Sequence, residues 1–454
     1  MNSWIDNAIF YHIYPLGALG APKENDYAAQ PINRLGQIHP MLDHIQSLGA
    51  NALYLGPLFE SASHGYDTTN YYEIDRRLGT RADLATLSRD MHARGMHLIL
   101  DGVFNHVGRD FWAFQDVLKN GQASQYKDWF SNLRFDGRSP YGDPFVYDSW
   151  NGHFSLVKLN LENPAVVAHL FGAIRMWFEE FQIDGLRLDA ADAINFKFLR
   201  QLRQFCSQLR ADFWLLGEVI HGDYRQWANP GTLQAVTNYE LYKGLYSSHN
   251  DHNYFELAYA LRRQFAQGGL YEGQRFYNFV DNHDVTRIAS QLSAPQHLYP
   301  LHILLFSVPG IPALYYGSEF GILGRKNNGQ DYDLRPLMDV KRWEAENPST
   351  NLTGLISQLS AIIQNAPALR LGDYQERLVA SEQVAFSRSY QGETVFVAVN
   401  SSGEKVNITL KLPGYDGAEL VDLLNPNQAF EVQQGVLILP LDPCWGRILR
   451  VVHG

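Results

Sequence analysis

The chain has 454 residues, 45 % of them hydrophobic and 19 % charged, and carries a formal net charge of −11. A domain takes roughly 100 to 200 residues and an α/β barrel about 250, so two or three domains and a sizeable core are expected. The acidic balance argues against nucleic acid or an anionic membrane as a partner and suits a neutral substrate, and no run is apolar for long enough to cross a bilayer.

The opening MNSWIDNAIFYHIYP lacks the basic start, long apolar run and small-residue cleavage site of a secretory signal, so a cytoplasmic location is expected. Its second half, AIFYHIYP (residues 8–15), reads as a first strand. Leu35, Ile38, Leu42, Ile45 and Leu48 then recur at helical spacing, with Gly49 where a helix would stop. ANALYLGP (50–57) is a second strand. Thr80 and Asp83 form an N-capping signature before the next helix, Gly95 ends it, and MHLILDGVF (96–104) is a third strand.

After an interruption the alternation resumes. Asn163 and Pro164 suit an N-cap and first helical residue, opening a helix through Phe178. GLRLDAADA (185–193) follows as a strand that runs into a helix near Asp192, and 196–209 is helical. FWLLGEV (213–219), a weaker stretch at 235–239, FYNFVDN (276–282) and IPALYYG (311–317) supply the remaining strands, with helical patterns at 254–265 and 298–306 between them. Eight strands alternating with helices call for a closed parallel (β/α)8 TIM barrel.

The interruption, 107–162, is too long for an ordinary loop and is expected to be an inserted small domain after the third strand. Half or more of its aromatics (Trp112, Trp129, Tyr141, Phe145, Tyr147, Trp150 and Phe154) are expected to form its own core, the others being candidates to stack on sugar rings. After a last helix at 352–363 the period becomes two, in VAFSRSY, TVFVAVN, VNITLKL, AELVDLL, VLILPL and GRILRVV, with a turn at 391–393. These short strands indicate a C-terminal antiparallel β-sandwich. The expected division is 1–106 with 163–366 for the barrel, 107–162 for the insertion and 367–454 for the sandwich. Cys206 and Cys444 sit in no metal-ligand or redox spacing and are expected to be reduced, packed thiols.

Leu186 and Leu188 point one way from their strand, and Arg187 and Asp189 the other. A charged pair on an inner face is costly, and on its own it reads as a structural ion pair. Two further apolar strands end in acid, at Glu218 and at His283–Asp284. Carboxylates converging at strand ends on one face of a barrel are what cleavage of a glycosidic bond requires: an acid for the leaving oxygen and a carboxylate for the sugar carbon.

With DGVFNH (101–106), GLRLDAADA, GEVI and FVDNHD in that order, the chain resembles the α-amylase family of retaining α-glycoside hydrolases. YLGPLFES, HGYDT, LVKLN and GIPALYYGSE support the match, and the second and third of these look closest to the neopullulanase, cyclomaltodextrinase and maltogenic amylase branch. The resemblance implies Asp189 as nucleophile, Glu218 as general acid and base, and Asp284 as the acid that grips and distorts the sugar. It implies that His106 and His283 bond the sugar hydroxyls, that Tyr66 stacks beneath the ring, that Asp101 braces the site, and that Asp331 and Arg335 bind the next sugar. Arg187 is expected to keep Asp189 ionised, and Glu218, facing two other carboxylates, to keep its proton near neutral pH.

Many secreted members hold a calcium ion through the Asn of DGVFNH and a His four residues after the nucleophile. Here Asn105 is present, but that His position is Ala193, and Lys158 stands where an acid would help, so no metal is expected there and no cofactor is implied. The branch usually carries an N-terminal sandwich that builds a dimer over the active site. With the first strand near Ala8 that domain is not expected in this chain, which leaves monomer and homodimer open. The expected activity is hydrolysis of α-1,4-glucosidic bonds in maltooligosaccharides, with cyclodextrins and pullulan as further candidate substrates. The alternative is a 4-α-glucanotransferase, which shares the covalent intermediate and differs in acceptor. A non-catalytic amylase-like module is disfavoured because all three acids are present.

Overall fold

The computed structural model describes residues 3–327, 331–346 and 351–452. Its centre is an eight-stranded sheet of β1 (Phe10–Ile13), β2 (Ala52–Leu55), β3 (His97–Gly102), β4 (Gly185–Leu188), β5 (Trp214–Gly217), β6 (Ala235–Val236), β7 (Tyr277–Asn278) and β8 (Ile311–Tyr315). The order is β6-β5-β4-β3-β2-β1-β8-β7 with every pair parallel, and a parallel bridge from Thr237 to Tyr277 joins the two ends. The sheet is thus closed into a barrel.

Alternation along each strand divides the core in two. Phe10, Tyr54, Ile99, Trp214, Leu216, Tyr277 and Phe279 fill the barrel interior, while Tyr11, Leu53, Leu98, Leu100, Leu186 and Leu188 pack outward against helices. Those helices include α1 (Met41–Ser47), α2 (Arg81–Ala93), α3 (Pro164–Phe181), α4 (Phe196–Leu209), α5 (Tyr239–Asn250), α6 (Tyr254–Phe265), α7 (Leu298–Ser307) and α8 (Leu352–Asn365). Thr80 and Asp83 form the capping box of α2, and the Asn163 side chain accepts from Ala165 N–H at the start of α3.

Several local expectations are corrected. Pro40 splits the helical stretch 35–48 into a 3-10 turn (Leu35–Ile38) and α1, because proline carries no N–H to continue the ladder. The chain near Asp192 makes only a 3-10 turn (Ala191–Ala193), and α4 starts later, where Asn195 accepts from Phe198 N–H. Helix α5 and the antiparallel pair Phe59–Ser61 and Thr68–Ile74 were not anticipated.

Between β3 and α3 lies a three-stranded antiparallel sheet of His106–Gly108, Ser149–Trp150 and His153–Lys158. Trp129, Phe145 and Tyr147 are buried there, and Tyr141 is exposed beneath the Arg109 guanidinium. Beyond α8, Pro367–Leu371 is a short helix, so the strands begin at β9 (Gln375–Val379). They continue as β10 (Gln383–Tyr390), β11 (Glu393–Asn400), β12 (Val406–Lys411), β13 (Glu419–Asp422), β14 (Ala429–Glu431), β15 (Val436–Leu441) and β16 (Trp445–Val452). A six-stranded sheet, β9-β10-β11-β16-β13-β14, faces the antiparallel pair β12-β15 across Phe396, Leu410, Leu439 and Leu449. Cys206 and Cys444 are both free and buried. No helix among the described residues is long and apolar enough to cross a membrane.

Candidate active site

Register sets the site. On β4 and β5, Leu188 pairs with Gly217, so the next residues, Asp189 and Glu218, leave adjacent strands at the same level. Glu218 N–H donates to Leu188 O at 2.9 Å. One strand over, Asp101 is in register with Arg187. By alternation Asp101, Arg187, Asp189 and Glu218 all face the barrel axis above Ile99, Gly185 and Leu216.

Arg187 binds all three acids. Its Nη1 lies 3.0 Å from Asp101 Oδ1 and 3.0 Å from Asp189 Oδ1, and its Nη2 lies 2.9 Å from Glu218 Oε1. Asp101 is fully engaged, since Tyr54 and Tyr66 also donate their hydroxyls to its Oδ2 at 2.9 and 3.1 Å. Burial raises both phenols, which therefore stay protonated as donors. The Asp189 and Glu218 side chains each remain 12 % exposed and open to a ligand.

The turn after Asp189 completes the arrangement. Ala190 is left-handed (φ 44°, ψ 46°), a conformation that non-glycine residues adopt at a cost. There its N–H donates to Glu218 Oε2 at 3.0 Å, and the N–H of Ala191 donates to Glu218 O at 3.0 Å. Glu218 is thus held by both carboxyl oxygens and by its backbone.

The electrostatics differ from the expectation for Asp189. Arg187 alone would lower its carboxyl, but burial and the neighbouring carboxylates of Glu218 and Asp101 outweigh the guanidinium, and its direction is upward.

The opposite wall is built from FVDNHD. His283 Nε2 lies 3.0 Å from Asp284 Oδ2, and Arg335 Nη2 lies 2.9 Å from Asp284 Oδ1 and 3.1 Å from Asp331 Oδ2. Burial would raise the Asp284 carboxyl, but the His283 ring and the Arg335 guanidinium more than offset it and hold it well below the usual carboxylate range. Its side chain is 33 % exposed, at the mouth. Tyr66 stacks on His283 (5.4 Å, 14°), and its hydroxyl lies 2.5 Å from His283 Nε2. His106 Nε2 is 3.8 Å from Asp189 Oδ2 and has no hydrogen-bond partner among the described residues, and burial pulls that imidazole down to about 3, leaving it neutral.

All ten residues singled out from the sequence therefore lie in one connected network. Three members were missed. Tyr54 braces Asp101, Tyr14 stacks on His283 (5.6 Å, 18°) with Arg335 over its ring at 4.5 Å, and His12 lies between Tyr54 and Tyr315 on β1. Strand alternation would have found His12 and Tyr54, which share the inward parity of Phe10 and Ala52. Lys158 and Ala193, the two positions at which the family resemblance would ask for calcium ligands, border one cleft with Asn160, Glu162 and Asn195. An ammonium and a methyl group there do not suit a divalent cation. Among the described residues no group of three or more His, Cys, Asp or Glu side chains is arranged to hold a metal ion.

Comparison with known proteins agrees with this geometry. Residues 34–408 match the family described as alpha amylase, catalytic domain, and residues 377–445 match that described as maltogenic amylase, C-terminal domain. A cyclomaltodextrinase of Geobacillus thermopakistaniensis (strain MAS1) is 32 % identical, over 99 % of this chain and 78 % of that protein. Neopullulanase 2 of Thermoactinomyces vulgaris is 30 % identical, over 98 % of this chain and 78 % of that protein. A solved cyclomaltodextrinase structure superposes with a TM-score of 0.85 at 28 % identity, over 99 % of this chain and 78 % of that one. The barrel, the order of the motifs and these matches together make the chain a glycosidase of the α-amylase family.

Proposed function

We propose that this glycosidase hydrolyses α-1,4-glucosidic bonds of maltooligosaccharides with retention of configuration, and that cyclodextrins and pullulan fall within its substrate range. The observation that carries the reading is the Arg187 guanidinium, which contacts Asp189 at 3.0 Å and Glu218 at 2.9 Å and so brings both acids to one reacting centre. In this reading Asp189 attacks the anomeric carbon while Glu218 protonates the departing glycosidic oxygen, and a glycosyl–Asp189 ester forms. Glu218, now a carboxylate, takes a proton from water, which attacks the anomeric carbon from the face the leaving group vacated and expels the Asp189 carboxylate. Arg187 compensates the negative charge on whichever acid is ionised. Asp284 and His283 grip sugar hydroxyls and pull the ring toward the flattened transition state, with His106 on the Asp189 side. Asp331 and Arg335 hold the neighbouring glucose unit.

A product time course on maltoheptaose, β-cyclodextrin and pullulan tests the proposal. Shorter oligosaccharides released first as the α-anomer are the expected result. Products longer than the substrate would instead identify a glucanotransferase, whose intermediate is the same and whose acceptor is another sugar. Glu218→Gln is expected to remove nearly all turnover, and unchanged turnover in that variant would dismiss the mechanism.

A further inference from the structure

Trp129, Phe145 and Tyr147 fill the core of the inserted segment, but Trp150 lies outside it. The strands Ser149–Trp150 and His153–Lys158 are joined by Asn151 and Gly152 alone, both at positive φ (47° and 80°), as a two-residue hairpin turn requires. That turn makes Trp150 and His153 cross-strand partners, and their rings stack with 5.6 Å between centroids and 25° between planes. The His153–Lys158 strand is held in turn by the strand that carries His106, with His106 in register with Lys158. Trp150 is thereby fixed with its ring 5.8 Å from that of His106, whose Nε2 is 3.8 Å from Asp189 Oδ2.

Packing does not account for a tryptophan at this hairpin tip. Trp150 is only half-buried, His153 is exposed, and the indole belongs to none of the apolar clusters of the molecule. Among the described residues its N–H has no hydrogen-bond partner. A large ring with an open side and an unused donor, anchored beside a reacting centre, has the properties of a binding surface. Topology gives that surface a side. β3 and β7 stand opposite each other, four strands apart by either route round the barrel. The insertion follows β3, whereas Asp284 follows β7 and Arg335 follows β8, so Trp150 and the Asp284–Arg335 wall flank the reacting centre from opposite sides.

We propose that Trp150 is the stacking platform for the glucose unit on the leaving-group side of the cleaved bond, with His153 backing the indole. The indole face covers the C–H side of that sugar, and its N–H donates to a sugar hydroxyl. Because the two-residue turn already fixes the plane, little side-chain freedom is lost on binding. The inference deepens the proposed function and rests on it, since it takes the Asp284–Arg335 wall as the one that holds the retained sugars.

Two substrates that differ in what departs test this: maltoheptaose, whose leaving group is a sugar, and α-maltosyl fluoride, whose leaving group is a fluoride ion. In Trp150→Ala, kcat/KM is expected to fall about tenfold on maltoheptaose and to stay within about twofold of the parent on the fluoride. Activity on the fluoride also certifies that the variant is folded. Trp150→Leu keeps apolar bulk while losing the plane, guards against a folding defect in the alanine variant, and is expected to show the same contrast. Equal losses on both substrates in the leucine variant would mean that Trp150 acts through His106 or through packing, and would overturn the proposal. Parental kcat/KM on maltoheptaose in either variant overturns it as well. If the unaltered protein cleaves neither substrate, the functional reading itself fails and the platform falls with it.

Discussion

Arg187 shows how a single side chain can be both the most expensive and the most useful in a barrel. Its side chain is 4 % exposed, and it balances Asp101, Asp189 and Glu218 at once through a planar fork that lysine cannot copy. Removing one partner from a buried ionic cluster costs about 3–5 kcal/mol, so Arg187→Met is expected to lose stability of that order at pH 7 in urea unfolding. Without the guanidinium that opposes it, the upward displacement of the Asp189 carboxyl grows, so the folded variant binds that proton more readily than the unfolded chain does. The penalty is therefore largest at neutral pH and fades on acidification, and the gap between variant and parent should narrow toward pH 4. A gap independent of pH would show that Arg187 acts through packing. The motifs made Arg187 and its three acids legible because charge on the inner face of a strand has few structural uses. His12, Tyr54 and Tyr14 were not read, since an aromatic or a histidine in an apolar strand looks locally like core. Alternation turns His12 and Tyr54 inward with Phe10 and Ala52, but what each ring touches there is set by strands far away in sequence.

The strands of the barrel were legible as elements because each is a short apolar run stopped by Gly, Pro or a polar cluster, a signal that survives without tertiary context. Helix α5 was not, because its buried side consists largely of Leu241, Gly244, Leu245 and Ser248, and small residues hide the helical period. Between β3 and α3 the chain is irregular, and its three-stranded sheet depends on pairings such as Ser149 with Val157 that no local pattern encodes. The element on which chemistry depends most is β4, whose register with β5 places Asp189 beside Glu218. Gly185 opens β4, and a Cβ there would lie 2.4 Å from Trp214 O, a backbone atom of β5. Gly185→Ala must therefore push the two strands apart or slide them. The expected loss is about 1–3 kcal/mol of stability, as for other forced overpacking. A fall in kcat of at least about tenfold should accompany it, because reacting groups tolerate little displacement. Circular dichroism at a temperature where the variant stays folded separates the two effects: native secondary structure with parental kcat would mean that the register is held from elsewhere.

At the scale of the molecule, buried histidines couple the fold to acidity. Burial pulls His106 and His249 down to about 3 and His302 to about 4. Each has a folded pKa below its unfolded value near 6.5, so below that pH the unfolded chain binds protons that the folded chain refuses. Stability should accordingly decline as pH falls from about 6.5, by about 1.4 kcal/mol per pH unit for each such histidine, until the folded values are reached. Asp184 adds to the same trend at lower pH. Although buried, it accepts from His92, His97 and Leu98 N–H and is held well below the usual carboxylate range, so its contribution disappears as it protonates. The histidines are unevenly placed. His249 bonds Tyr254 at 2.9 Å and packs 5.4 Å from His297, whose Nε2 reaches Ser401 O of the C-terminal sheets at 3.0 Å. Proton uptake by His249 or His297 thus weakens the seam between barrel and sandwich, while uptake by His106 strikes the active site. Urea unfolding between pH 7 and pH 4, followed separately by intrinsic fluorescence and by activity, is expected to show stability falling steeply over that range. His249→Gln should flatten the decline by about one histidine's share. If the parent's stability were level from pH 6.5 to pH 4, the buried imidazoles would have to be charged in the folded protein, and the neutral His106 assigned to the sugar site would be wrong.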